Sequence, residues 1–311
     1  MSQRHHFVPQ CYLRMFTTTM DRKGKLFAYD LRSNKYFWAA PKDVAFIEDY
    51  YKLDDRDEGQ YIVEIEMAKL ESKFAAIHRR ILETGQIPKE PEEKGLLLYF
   101  ISLLSVRNPM VRSSFEESMK DLVRLTTYQA AAHEKVPKPS DYMDEDTLAK
   151  MGLTKESDVR DLFEKGLIKV EIKNFYQVET MIKGAKTVYD LLQRRSWYLL
   201  LAPRSESDSF ITSDNPVVLM STAKASSPFP PGFAMTDTRV LLPLSRRMLL
   251  IGHFDGIREE VFEASPKEIY FYNLFQVSYA FRQVYSPSRT AQIYTREKTP
   301  RPFGEYFSQA I

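Results

Sequence analysis

The chain has 311 residues, 43% hydrophobic and 13% aromatic, with 11 glycines and no low-complexity tract, which suits a packed core in one large domain or two intimate ones. Its net charge of +2 supplies no global pull toward nucleic acid or an anionic membrane, and its single cysteine, Cys11, excludes an internal disulfide and any multi-cysteine zinc site. A basic-then-apolar signal peptide is not visible and no apolar run reaches the ~18 residues that cross a bilayer, so the expectation is a cytoplasmic protein with no membrane partner.

Local charge is uneven. Residues 1–40 carry seven Lys/Arg against Asp21 and Asp30, whereas residues 41–66 carry nine acids against Lys42, Lys52 and Arg56. The two blocks either complement each other across the fold or leave a basic face for a phosphate-bearing ligand.

The opening run Arg4-His5-His6-Phe7-Val8-Pro9-Gln10-Cys11-Tyr12-Leu13-Arg14-Met15-Phe16 packs two imidazoles and several large apolar side chains where chain ends usually fray. It is expected to tuck inward. Residues 25–30 and 35–38 alternate and are aromatic, and with Leu31-Arg32-Ser33-Asn34 between them they predict a hairpin. An acidic loop at 48–59 leads to an amphipathic helix near 60–84, closed by Gly85.

Leu96 to Val106 is apolar nearly all round and too short to cross a membrane, so it predicts a helix buried in protein, ended or kinked by Asn108-Pro109. A more polar helix continues to about 134, and Lys135-Val-Pro-Lys-Pro-Ser-Asp141 is the candidate linker. Helices follow near 144–151, 155–165 and 175–194. From Ser196 the period changes to short strands at 197–201, 210–212, 217–220, 240–244 and 248–252. Ser265-Pro266 with Glu268 is a capping-box start for a last helix, followed by a strand near 282–285 and an irregular basic tail. Strands at both ends and a helical middle predict an α+β fold. One domain is expected over 1–311, helical at about 60–194 and sheet-forming at 1–50 and 196–290, with the N-terminal hairpin joining or adjoining the C-terminal sheet.

Several side chains invite chemistry. Successive residues of a strand face opposite ways, so one of His5 and His6 points into a site while the other packs. His-His-Phe-Val-Pro resembles the His-His-x-x-Pro opening of HNH endonucleases, but no histidine occurs between His6 and His78 to complete that signature. Glu66 sits in the apolar arc of the 60–84 helix, where a carboxylate must be paired, metal-bound or facing a cavity; Lys69 and Lys73 offer the plain ion pair. Glu71 and His78 read as surface neighbours. Arg107 either caps the buried helix or forks onto a carboxylate or phosphate. Thr212-Ser213-Asp214-Asn215-Pro216 is either a tight turn or a strand-end loop presenting an acid. Cys11, in apolar company, reads as inert. No Walker loop, dinucleotide glycine fingerprint, Gly-x-Ser-x-Gly elbow or His-Glu-x-x-His motif is present.

Taken together, His5-His6-Phe7-Val8-Pro9-x-x-Tyr12-Leu13-x-x-Phe16, Lys25-Leu26-Phe27-Ala28-Tyr29-Asp30, Phe46-Ile47-Glu48-Asp49-Tyr50-Tyr51 and Phe210-Ile211-Thr212-Ser213-Asp214-Asn215-Pro216-Val217 resemble the bacterial domain of unknown function 4238 (DUF4238), over nearly the whole chain. Arg107-Asn108-Pro109 stands where that family tends to carry an arginine before a polar-proline step. The resemblance implies a fold-level grouping and no reaction.

Two readings follow. In the first, the chain is a metal-assisted phosphodiester hydrolase: His5, His6, Glu66, Arg107 and Asp214 are catalytic, and His6, Glu48 and Asp214 hold a divalent metal ion. Arg14, Tyr12, Ser213 and Asn215 bind substrate. Arg289, Arg296 and Arg301 then track a nucleic-acid backbone, with Tyr12, Tyr36 and Trp38 as stacking faces. In the second, the same polar residues form a buried network of a non-catalytic module that binds a ligand or partner.

Overall fold

A computed structural model describes residues 3–53, 59–133, 135–223, 230–256 and 260–308; residues 54–58 of the expected acidic loop lie outside the described residues. The first part of the chain forms β1 (Arg4–His6), α1 (Gln10–Leu13), β2 (Leu26–Asp30), β3 (Lys35–Ala39) and β4 (Phe46–Glu48). The helices α2 (Ile62–Thr84), α3 (Pro91–Val106), α4 (Pro109–Ala132), α5 (Glu145–Lys150), α6 (Val159–Glu164) and α7 (Asn174–Leu192) follow. Then come β5 (Ser196–Leu201), β6 (Thr212–Ser213), β7 (Val218–Ser221), β8 (Thr238–Ser245), β9 (Met248–His253) and β10 (Val261–Glu263). The last elements are α8 (Pro266–Ser278), β11 (Gln283–Ser286), β12 (Gln292–Tyr294), β13 (Pro300–Pro302) and α9 (Phe303–Tyr306). The fold is α+β, with strands from both ends of the chain and a helical middle.

The chain divides into two units, one of Met1–Met110 with Val178–Ile311 and one of Val111–Gln177, the borders falling inside α4 and α7. In the larger unit a five-stranded sheet runs in the order β10-β5-β9-β8-β7, antiparallel except for the parallel β10–β5 pair. A four-stranded antiparallel sheet runs β3-β2-β11-β6. The N-terminal hairpin therefore joins a C-terminal strand, with Asp30 opposite Gln283 and Phe27 opposite Ser286. Asp30 fastens this joint. Its Oδ1 accepts the Arg32 and Ser33 N–H groups of the hairpin turn, and its Oδ2 accepts from Arg282 Nε at 2.7 Å.

One core cluster gathers Phe7, Val8, Tyr12, Leu13 and Phe16 from the opening segment, Phe74, Ile77 and Ile81 from α2, and Leu97, Phe100, Ile101 and Leu104 from α3. Against it lies one face of the five-stranded sheet, with Trp197, Leu199, Val240, Leu242 and Leu250. The other face of that sheet, with Tyr198, Leu200, Leu249 and Ile251, is covered by Ile269 and Tyr272 of α8. Burial on both faces explains why these strands read as unbroken apolar runs. Among the described residues no helix is long and apolar enough to cross a membrane.

The tail departs from the expectation of an irregular basic segment. β12 and β13 pair, and Ile293 and Phe303 are buried with Phe27, Tyr29 and Val284. Its order comes from aromatic packing onto β2, far away in sequence. Local polarity therefore hid it.

The smaller unit is held by Leu148, Leu153 and Leu162, and by Arg112, which bonds both Gln177 and Asn174. Asp144 and Asp158 cap its short helices through the Thr147 and Arg160 N–H groups. The stretch 135–141 lies inside this unit rather than linking two: Pro139 is buried and Ser140 Oγ donates to the Lys155 carbonyl at 3.0 Å.

Gly252 on β9 faces Trp197 on β5, and a Cβ there would meet the indole at 2.7 Å. Trp197 is fully buried with its Nε1 donating to the Leu192 carbonyl, so the ring cannot swing away. Gly252→Ala is expected to lower the unfolding free energy by about 1–3 kcal/mol through overpacking. Gly184→Ala in α7, where the nearest atom outside the helix is 3.7 Å from the new Cβ, is expected to be neutral or to stabilise by about 0.5–1 kcal/mol. Urea titration of the two variants distinguishes these outcomes.

Candidate functional site

β1 and β4 pair with His5 opposite Ile47 and His6 opposite Phe46, and strand alternation sends the two imidazoles apart. His5 is wholly buried. Its Nδ1 accepts the Tyr51 main-chain N–H at 2.9 Å, which leaves the proton on Nε2, and Nε2 has no partner among the described residues. The ring stacks on Tyr51 at 5.7 Å and meets the edge of Tyr61 at 5.9 Å. Burial lowers its pKa, against the opposing pull of Asp49.

His6 turns toward the surface, tilted on Phe46, with Nε2 at 3.3 Å from the Lys42 carbonyl and Nδ1 at 3.5 Å from Gln10 Nε2.

Arg107 follows α3 directly, and its helix is too apolar to lie outside. Its side chain is 1% exposed, and Nη1 donates to Glu71 Oε1 at 3.0 Å. Nε and Nη2 are buried and have no hydrogen-bond partner among the described residues. The buried Tyr51 hydroxyl likewise has no hydrogen-bond partner among the described residues and lies within electrostatic reach of Arg107. Tyr50 donates its hydroxyl to the Arg107 carbonyl at 3.1 Å.

Across from Arg107, α2 presents Glu64 and Glu71, two turns apart on one stripe and both half-buried. Burial, and then the charge of Glu71, push the Glu64 carboxyl up to about 7, with Arg107 pulling it back. Cys11 borders the same group. Burial pushes its thiol up to about 11, and Glu71 adds to that, so it stays a protonated, weakly nucleophilic thiol. One neighbourhood thus holds a guanidinium with two idle nitrogens, a phenol and two carboxyl groups, with the His5 imidazole stacked on the phenol ring.

Other residues singled out from the sequence lie elsewhere or are already engaged. Glu66 is on the outer side of α2, paired with Lys69 at 2.7 Å, each side chain more than half exposed. At this end of α2 Glu66, Ile62 and Leu70 line a surface groove, while Phe74, Ile77 and Ile81 further along the helix enter the core. His78 is buried, its Nε2 donating to the Leu244 carbonyl at 2.7 Å, and burial lowers its pKa to about 4. It is not the surface neighbour expected, and Glu71 is the partner of Arg107. Glu48 is exposed on β4.

Tyr12 is buried, with its hydroxyl donating to the Pro243 carbonyl at 2.6 Å and 2.9 Å from Thr212 Oγ1; it ties α1 to the sheets and offers no stacking face. Arg14 is half-buried in a 3-10 turn whose carbonyl it lends to Thr17.

The Asp214 turn is a saturated structural knot. Asp214 Oδ1 accepts the Phe281 N–H, and Oδ2 accepts those of Arg282 and Gln283, all at 2.8 Å. Burial nonetheless pushes this carboxyl up to about 6 against those donors. Ser213 Oγ donates within the turn to the Asn215 carbonyl and toward Gln276, and Asn215 Nδ2 donates to the Tyr279 carbonyl. Asn108 Nδ2, one residue beyond Arg107, donates to the Asp214 carbonyl at 3.1 Å. The turn therefore does adjoin the end of α3, but by its main chain.

The expected metal set of His6, Glu48 and Asp214 is not assembled. Among the described residues, no three His, Cys, Asp or Glu side chains come together so as to hold a metal ion. The sequence alone singled out neither Glu64 nor Tyr51 for a role, and set Glu71 at the surface beside His78. The seven-residue spacing of Glu64, Glu71 and His78, which puts them on one helix face, was the available signal.

A family model described as a protein of unknown function, DUF4238, matches residues 4–290, and the chain belongs to that family. No curated protein and no solved structure matches it.

Removing the Asp214 carboxylate, itself buried, leaves three partly buried N–H groups without their acceptor, and an unpaired buried group costs about 1–3 kcal/mol. Asp214→Ala is expected to destabilise the protein by several kcal/mol, and Asp214→Asn, which keeps one acceptor oxygen, by about half as much. Thermal unfolding followed by circular dichroism measures both.

Proposed function

We propose that the chain is a ligand-binding protein whose Arg107 cluster receives the acidic group of a small molecule, a carboxylate or phosphate oxygen. The carrying observation is the pair of idle Arg107 nitrogens in a side chain 1% exposed. A buried guanidinium normally spends its N–H groups on acceptors, and a planar fork with two positions open matches an oxyanion. The Tyr51 hydroxyl, also without a partner among the described residues, adds a neutral donor within reach of Arg107, and the stacked His5 ring offers its Nε2–H next to Tyr51.

Glu64 sets the pH dependence. Its carboxyl, held up to about 7, must be protonated for an anion to enter beside it without repulsion. Binding an anion favours the protonated form, so affinity is full below that value and falls as pH rises through it. The alternative role as a metal-assisted hydrolase draws no support from the donor arrangement, because the acid it needs most, Asp214, is spent on main-chain N–H groups.

Acetate and benzoate, both fully ionised between pH 6 and pH 8, are suitable calorimetric probes. Affinity is expected to drop about tenfold across that range. Glu64→Gln is expected to abolish that drop, and Arg107→Met to abolish binding. Binding that survives Arg107→Met, or a flat pH profile in the unaltered protein, contradicts the proposal.

A further inference from the structure

A second polar recess lies on different elements. Its volume is about 410 Å³, within the range of small-ligand pockets, and Trp38, Arg246, Arg247, Arg289, Ser288 and Thr290 line it. Arg246 and Arg247 are the two turn residues of the β8–β9 hairpin. The turn is pinned by main-chain bonds from the Phe210 N–H to the Arg246 carbonyl and from the Arg246 N–H to the Met15 carbonyl. Arg246 Nη1 donates to the Thr18 carbonyl at 3.1 Å, while its Nε is buried with no partner among the described residues. Arg247 donates to the Pro203 and Ser205 carbonyls. Arg289 lies over the Phe27 ring at 5.0 Å, and Phe27 in turn packs on Trp38 at 5.0 Å.

Three guanidinium groups thus share a recess with one carboxylate, Glu206, and among the described residues none of the three is in an ion pair. Burial, and then the neighbouring Arg246 and Arg204, lower the pKa of Arg247, against the opposing pull of Asp208 and Glu206. Trp38 is 43% exposed on β3, an edge strand, in a fold that buries its other tryptophan completely. An indole face beside clustered arginines and hydroxyls matches a planar base attached to a phosphate.

We infer that this recess binds a nucleotide, with the phosphate on Arg246, Arg247 and Arg289 and the base stacked on Trp38. The ligand is a free nucleotide or the 5′-phosphorylated end of a single strand. The inference is independent of the Arg107 cluster and shares no residue with it.

Trp38 reports on its own occupancy. Of the two tryptophans, Trp197 is buried and Trp38 is open, so a stacked base quenches Trp38 emission. Adenosine 5′-monophosphate is expected to quench saturably, adenosine alone not to quench, and inorganic phosphate to reverse the quenching. By calorimetry, Arg289→Ala and Trp38→Leu, both exposed positions, are each expected to weaken binding about tenfold. Arg107→Met is expected to leave it unchanged. A 5′-phosphorylated trinucleotide that binds much more tightly than the mononucleotide identifies a strand end; equal affinity identifies a free nucleotide. The inference is overturned if the monophosphate does not bind, if adenosine quenches equally, or if Arg289→Ala leaves the affinity unchanged.

Discussion

A guanidinium buried at the end of an apolar helix needs an acceptor, and in this fold Glu71 supplies it. Much of the larger unit is arranged around that requirement. α3 is apolar enough to be drawn into the core, which carries Arg107 with it. α2 then has to lie alongside so that Glu71 reaches Nη1, and the opening segment closes over the pair with His5, Cys11 and the Tyr50-Tyr51 corner. One residue later, Asn108 fastens the same helix end to the Asp214 turn and through it to β11. Two consecutive side chains therefore join the N-terminal cluster to the C-terminal sheets.

Two kinds of buried polar group stand out. Asp30, Asp214, Asn273 and Gln276 are engaged by main-chain or side-chain partners within the fold, as structural polar groups usually are. Arg195 is mostly of this kind, its Nη atoms donating to the Thr238 and Phe233 carbonyls. Among the described residues Arg107, Tyr51 and the His5 ring stacked on it keep open positions, and half-buried carboxyl groups stand beside Arg107. Buried donors left open are costly to the fold alone, and a ligand that fills them recovers that cost.

Local signals in the sequence carried much of the architecture. Alternation placed the β2–β3 hairpin and separated His5 from His6; the Ser265–Glu268 capping box started α8; Gly85, with φ of 65°, closed α2. Long-range pairing was not legible. Glu71 meets Arg107 across 36 positions, and Asp214 is met by N–H groups 67 to 69 positions on, so neither partnership leaves a periodic trace. The tail misread as irregular has the same cause: Phe303 and Ile293 are ordered by β2 residues at the opposite end of the chain. Asp214 read as a displayed acid because a turn former before proline looks alike whether its carboxylate faces a ligand or the chain's own N–H groups.

The Arg107–Glu71 interaction itself can be measured by a double-mutant cycle of Arg107→Met and Glu71→Leu, with unfolding free energies taken from urea titration. The ion pair described above predicts a coupling of about 2 kcal/mol, Glu71→Leu alone being strongly destabilising and much of that loss being recovered in the double variant. Effects that add to within about 0.5 kcal/mol contradict it.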